Sequence, residues 1–388
     1  MTSERGSFAR KTIVERKPQI LREVSEAHAY PPEILAALRA YAAEIASAPV
    51  QPLREQAPDV ALWNGAWAEL EGRTWLDLPW YFAETFFYRR LMEAVRFYQP
   101  GPWQGVDPFG PQKAAQLEQA LPAFVALLTS SEGASDEAAF QARMRDALWG
   151  NRADLSNRTI SARAGKGEEQ ARLLIDDTPR IWQALTRGAP PRCDVVADNS
   201  GLELLLDLRL IDWLLAQGRA REVHLHLKRM PFFVSDARLP DLERALARLA
   251  DAPAPGPALT ARLQAARAEG RFALHDDPFW STCLSYHPLP SHIHRELARS
   301  DLVLFKGDVN YRRLLDDRHW PHTARLAEIA GHMPAPFCAL RTLKGELIVD
   351  LQPGQAESLA AADPTWMING ERGVIQYVDP KGMPQHSD

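Results

Sequence analysis

The stretch Asp194-Val195-Val196-Ala197-Asp198-Asn199-Ser200-Gly201-Leu202-Glu203 decides the fold. A short apolar run ends in a carboxylate and an amide, a glycine follows, and a Leu-rich segment then runs from Leu202 to Ala216. This reads as a buried strand, a tight turn and a helix closed by Gly218. In open α/β sheets, ligands sit beyond the carboxyl ends of strands, where the next helix points bare N–H groups at the site. Asp198 and Asn199 fall at such a mouth. Both offer oxygen ligands suited to a hard cation such as Mg²⁺ or Mn²⁺. The alternative is that one of them only caps the helix.

Composition shifts at Gly188-Ala189-Pro190-Pro191, a linker signal. Beyond it, short β-like runs alternate with helical ones: Cys193–Ala197, Val223–Leu227, Phe232–Val234, Phe272–His275, Leu302–Phe305 and Cys338–Leu340. That alternation predicts an α/β fold with a mostly parallel sheet. Before the linker, helices are expected from Pro32, over Trp80–Tyr98, Ala115–Leu128 and Glu137–Trp149, and over Gly167–Arg187 with an interruption near Pro179. Trp63, Trp67, Trp75, Trp80 and Trp103 crowd this half, where such clusters usually form core. Leu148–Ser156 breaks the helical pattern and reads as a loop around a buried aromatic. The expected organisation is therefore a helical domain over 1–187 and an α/β/α domain over 188–388.

Several strand ends carry chemistry. Phe232-Phe233-Val234-Ser235-Asp236 stops on a carboxylate, Leu302–Phe305 is followed by Lys306-Gly307-Asp308-Val309-Asn310, and Cys338-Ala339-Leu340 by Arg341-Thr342-Leu343-Lys344. Asp198, Asn199 and Asp236 can hold a divalent cation. Lys306, Arg312, Arg341 and Lys344 can neutralise phosphate oxygens. Metal and cations aimed at one place are what phosphoryl transfer requires.

The chain has 388 residues, 46% hydrophobic and 24% charged, within the range of soluble globular proteins. A net charge of −5 gives no reason to expect nucleic acid or an anionic membrane as partner. Three dispersed cysteines, Cys193, Cys283 and Cys338, argue against a disulfide framework and for a reducing compartment. Residues 1–19 are polar, and no apolar run is long enough to span a bilayer, so a cytoplasmic protein is expected. The chain lacks a G-x-x-x-x-G-K-[ST] loop, a G-x-G-x-x-G loop, an Asp-x-Asp strand end and a G-x-S-x-G elbow. His224 and His226 alternate on one strand face and His292 and His294 form a second pair, but neither is joined by further ligands at metal-site spacing.

Taken together, Asp198-Asn199-x-Gly201-x-Glu203, Val234-Ser235-Asp236, Lys306-Gly307-Asp308-Val309-Asn310-Tyr311-Arg312 and Arg341-Thr342-x-Lys344 resemble the metal-dependent damage-control phosphatases. The last element, with Leu148-Trp149-Gly150-Asn151-x-x-Asp154-Leu155-Ser156 and Pro79-Trp80 through Tyr88-Arg89-Arg90, is similar to the sugar-phosphate, acidic-residue-methyltransferase-like subgroup. The resemblance implies a helical N-terminal domain and an α/β/α sandwich. It implies one divalent ion (Mn, Mg, Co or Ni) on Asp198, Asn199 and Asp236, and a small phosphorylated metabolite as substrate. Substrate contacts follow from Glu203, Asp308, Asn310, Arg312 and Lys344, with Lys306 and Arg341 balancing charge. Asp198 and Asp308 are the expected catalytic carboxylates, Asp308 as nucleophile or general base. Two other readings share these residues: a carboxyl methyltransferase using S-adenosylmethionine, and a non-catalytic phosphometabolite-binding protein.

Overall fold

A computed structural model of the chain describes residues 7–129, 135–150 and 172–380. The chain forms two compact units, each discontinuous in sequence. One comprises Met1–Ala115, Lys228–Asp236 and Pro278–Leu284; the other comprises Gln116–Leu227, Ala237–Asp277 and Ser285–Asp388. No helix among the described residues is long and apolar enough to cross a membrane.

The first unit is helical, with Pro32–Ser47 and Trp80–Ala94 as its longest helices. Pro32 opens its helix at the first helical position, where no backbone N–H is needed. Trp63 and Trp75 are fully buried against Phe86, so these two tryptophans are core. Cations of the Tyr88-Arg89-Arg90 run are spent internally. Arg89 binds Asp59 through two nitrogens and Glu55 through a third, and Arg90 binds Glu44. The strand expected at Phe232–Val234 does not form. Pro231 removes a ladder donor, the Phe233 amide turns back onto the Asp236 carboxylate at 3.2 Å, and the Phe233 ring packs on Tyr88.

The second unit is α/β. Its seven strands are β1 (Leu173–Asp176), β2 (Arg192–Val196), β3 (Glu222–His226), β4 (Phe272–His275), β5 (Leu302–Lys306), β6 (Phe337–Thr342) and β7 (Gly373–Val378). Their spatial order is β1-β7-β6-β5-β2-β3-β4, with every pairing parallel except β6–β7. Strand β1 lies inside the segment expected to be helical. Only four residues long, it is followed at once by the Thr178–Thr186 helix, and its Leu-Leu-Ile run carries no period that separates strand from helix. Residues 151–171, which include Asn151, Asp154, Leu155 and Ser156 of the expected Leu148–Ser156 loop and the start of the expected Gly167–Arg187 helix, lie outside the described residues.

Alternation along the strands gives the sheet two faces. Cys193, Val195, Val223, Leu225, Leu302, Leu304 and Cys338 join one core with Leu204, Leu208 and Ile211 of the Leu202–Ala216 helix and with Met144 and Ala147 of the Asp136–Trp149 helix. On the other face, Phe305 packs against Tyr286 and Phe337. From β2 the order runs one way through β3 and β4, and the other way through β5 and β6. The crevice between the carboxyl ends of β2 and β5 is therefore a topological switch point, the place where such sheets take ligands.

Candidate active site

The crevice is built by two strand-to-helix turns. After β2, Ala197 to Ser200 lead into Gly201, which adopts φ +65° and precedes the Leu202–Ala216 helix. The N-cap of that helix is Gly201, which offers no side-chain cap. The Asn199 amide nitrogen donates to Asp198 Oδ2 at 2.7 Å and to Glu203 Oε2 at 2.9 Å. Those two bonds fix the amide and turn its oxygen to the opposite side.

After β5 the chain turns through Gly307 at φ +82° into the Gly307–Leu314 helix. A Cβ on Gly307 would stand 1.9 Å from Asp198 Oδ2, so only glycine lets the two turns meet. Asn310, fully buried, braces the same junction. Its amide nitrogen donates to Lys306 O at 2.7 Å and Val196 O at 3.3 Å, and its oxygen accepts from Tyr286 Oη at 2.5 Å.

Three expected phosphate-binding cations prove deeply engaged. Lys306 is 1% exposed and donates to Asp207 Oδ1 at 2.7 Å, Ala147 O at 2.8 Å and Glu203 Oε1 at 3.1 Å. Burial alone would lower its pKa, but Asp207 and Glu203 outweigh that and hold it raised. Burial pushes the Asp207 carboxyl up, against the pull of Lys306. Asp207 escaped the sequence reading; its signal was the four-residue offset from Glu203, which places both carboxylates on one helix face. Arg312 binds Asp308 at 2.6 Å and Asp317 at 2.7 Å. Arg341, with no exposed surface, binds Asp308 Oδ1 at 2.7 Å and the carbonyls of Gly345 and Leu347.

Asp308 thus has one guanidinium on each oxygen. Burial would raise its pKa, but Arg312 and Arg341 hold it down at about 2. It remains half-buried, as do Asn199 and Lys344, the latter on the loop after β6. Hydrogen bonds join Asp198, Asn199, Glu203, Lys306 and Asn310 into one polar cluster within this unit, and Asp308, Arg312 and Arg341 into a second beside the turn after β5. Asp236 belongs to the other unit, where its carboxylate accepts from the Phe233 amide and its carbonyl from Lys113 at 2.6 Å. The next residue, Ala237, donates its backbone N–H to Asp198 O at 2.8 Å.

Comparison with known proteins agrees with this geometry. A family model described as the damage-control phosphatase ARMT1-like domain matches residues 9–359. Damage-control phosphatase ARMT1 from Mus musculus is 32% identical over 431 aligned positions, covering 97% of each chain. The protein of that name from Homo sapiens is 30% identical over 434, again covering 97% of each, and that from Danio rerio is 31% identical over 432, covering 97% of this chain and 95% of its own. A solved structure of a DUF89-family protein from Pyrococcus horikoshii shares the fold, with a TM-score of 0.50 and 15% identity, covering 94% of this chain and 97% of that one. The class so defined is an α/β enzyme of the phosphatase type. The chain belongs to the damage-control phosphatase ARMT1-like family.

Two substitutions test this construction. Lys306→Met leaves Glu203 and Asp207 buried without their counter-charge, and breaking such a pair costs about 3–5 kcal/mol. The urea midpoint should fall accordingly; lost turnover at an unchanged midpoint would mean that Lys306 meets substrate instead. Gly307→Ala should destabilise by more than about 1 kcal/mol, since alanine is strained at positive φ, and should abolish turnover by displacing Asp198. Full activity of the purified variant would show that the two turns need not touch.

Proposed function

We propose that the chain is a divalent-metal-dependent phosphomonoester hydrolase of the cytoplasm, acting on sugar phosphates or related small phosphometabolites. Charge at the switch point carries the reading. Lys306 is met by Glu203 and Asp207, Arg312 by Asp308 and Asp317, and Arg341 by Asp308, while the Asp198 carboxylate accepts from the Asn199 amide. A phosphate dianion entering there faces more carboxylates than cations. The free energy of that approach is unfavourable unless a further positive charge sits at the mouth.

The donor set fits such an ion. Asp198, Asn199 and Asp236 offer hard oxygen ligands. The Asn199 amide is oriented with its nitrogen toward carboxylates and its oxygen away from them. Mn²⁺, Mg²⁺, Co²⁺ or Ni²⁺ bound there would polarise a phosphoryl oxygen and acidify a coordinated water.

The chain's own groups then divide the work. Glu203 holds the Asn199 amide in its ligating orientation. Asn310 keeps the β2 and β5 ends together. Arg312 and Arg341 fix Asp308 and keep it ionised, which suits a nucleophile or an orienting anion and not a base, whose pKa must lie near the working pH. Lys344 and the bare N–H groups opening the Gly307–Leu314 helix supply charge and donors to the non-bridging oxygens.

A phosphate-release screen over sugar phosphates, fructose 1-phosphate among them, with Mg²⁺, Mn²⁺, Co²⁺ and Ni²⁺ tests the proposal. Metal-stimulated release that chelation abolishes is expected; no release from any substrate, or full activity after chelation, would sink it. Asp236→Asn tests the third ligand. Its curve of activity against Mn²⁺ concentration should shift to higher metal, with the melting temperature of the metal-free protein nearly unchanged. Superimposable curves would leave Asp236 a structural residue that only ties the Phe233 turn.

A further inference from the structure

We propose that His224, His275 and Glu296 form a second cation site, separate from the switch-point crevice and selective for a borderline ion such as Zn²⁺ or Co²⁺. One nitrogen from each ring and one oxygen of the carboxylate lie within 4.8 Å of one another. His224 Nδ1 and His275 Nε2 stand 2.9 Å apart, and His224 Nδ1 lies 3.8 Å from Glu296 Oε1. Two ligands on one tetrahedral zinc, each bonded at about 2.0–2.1 Å, are roughly 3.3 Å apart. The two separations from His224 Nδ1 bracket that value, and side-chain adjustment within the 4.8 Å cluster would bring the ligands to bonding distance.

The surroundings favour this use. In the absence of an ion, the two imidazoles share one N–H···N bond, and an ion would compete for the same pair of nitrogens. Glu222 lies 3.8 Å from His224 Nε2, the ring position left over when Nδ1 ligates. A carboxylate there is the usual outer partner of a metal-bound histidine. His226 is a spectator: it stacks on His275 at 4.8 Å and its Nε2 is engaged with Asp194 at 2.8 Å. Arg192 competes for Glu296 Oε1 at 2.5 Å, but it also grips Asp194 through two nitrogens and can yield that oxygen without becoming unpaired. All three candidate ligands are partly exposed, which gives an ion a way in and leaves room for a water as fourth ligand.

This site stands independently of the proposed phosphatase chemistry. The set of two nitrogens and one carboxylate oxygen suits zinc-like ions, whereas the all-oxygen set at the crevice suits harder ones. The test is a titration of the metal-free full-length chain with Co²⁺, read by visible absorption and by calorimetry. Wild type should show a nitrogen-ligated Co²⁺ band that persists in Asp198→Asn, where the crevice is impaired, and disappears in His275→Ala. Glu296→Gln, a change of similar size on a half-exposed helix, should weaken that binding at least about tenfold; its melting temperature without metal checks that the fold survives. Identical Co²⁺ spectra and isotherms for wild type, His275→Ala and Glu296→Gln would overturn the proposal.

Discussion

The buried ammonium of Lys306 is the interaction on which the active-site side of the molecule depends. It is placed by the last residue of β5, yet its three acceptors come from elsewhere: Glu203 and Asp207 from the Leu202–Ala216 helix, and the Ala147 carbonyl from the Asp136–Trp149 helix. A charge so deeply buried is tolerable only when its donors are met, and a buried pair broken on one side is costly. That cost ties two helices to the end of β5 and the turn that follows it. The same bond restrains Glu203, whose second oxygen accepts from Asn199. One side chain thus links the packing of helices on the sheet to the orientation of an amide at the mouth.

The sheet order sets what this linkage can reach. Since β2 is the strand from which the order departs in both directions, the turns after β2 and β5 diverge on either side of a crevice. Left to themselves, two such turns would hold their polar ends apart. Here they are drawn together by the absence of a side chain at Gly307, against Asp198, and by the Asn310 amide that bonds both strand ends. The site is therefore defined by backbone proximity first, and its carboxylates are held by that proximity.

Much of this was legible in the sequence, for identifiable reasons. Strands β2, β5 and β6 announce themselves because strands buried on both faces read as continuous apolar runs, and their polar ends fall where such sheets take ligands. Strand β7 left a weaker mark: it is antiparallel to β6, and the short Gln355–Ala362 helix before it sits in a turn-rich stretch that gives no βαβ signature. Phe232–Val234 looked like a strand because two aromatics and a valine suit one, but composition does not reveal that an upstream proline and a downstream carboxylate bend the chain into a turn. The cations were found by position, and their partners were not. Lys306, Arg312 and Arg341 follow strands as a phosphate site would place them, while Glu203 with Asp207, and Asp308 with Asp317, engage them through contacts that only the folded chain reveals.

That hidden pairing bears on how an enzyme of this family can treat a phosphoryl group. A guanidinium whose nitrogens are already bonded to carboxylates and carbonyls has used donors with which it would otherwise grip phosphate. Arg312 and Arg341 both face Asp308, so their effect at the mouth is to hold one anion rigid and ionised and not to bind another. Recognition of phosphate by arginine forks demands a particular arrangement of oxygens around the phosphorus, including those of the attached group. Recognition by an ion and by backbone N–H groups asks only for a phosphoryl oxygen of the right charge. If the phosphate is met as proposed, by an ion and backbone N–H groups, arginines that serve as scaffold place few demands on the alcohol to which it is attached.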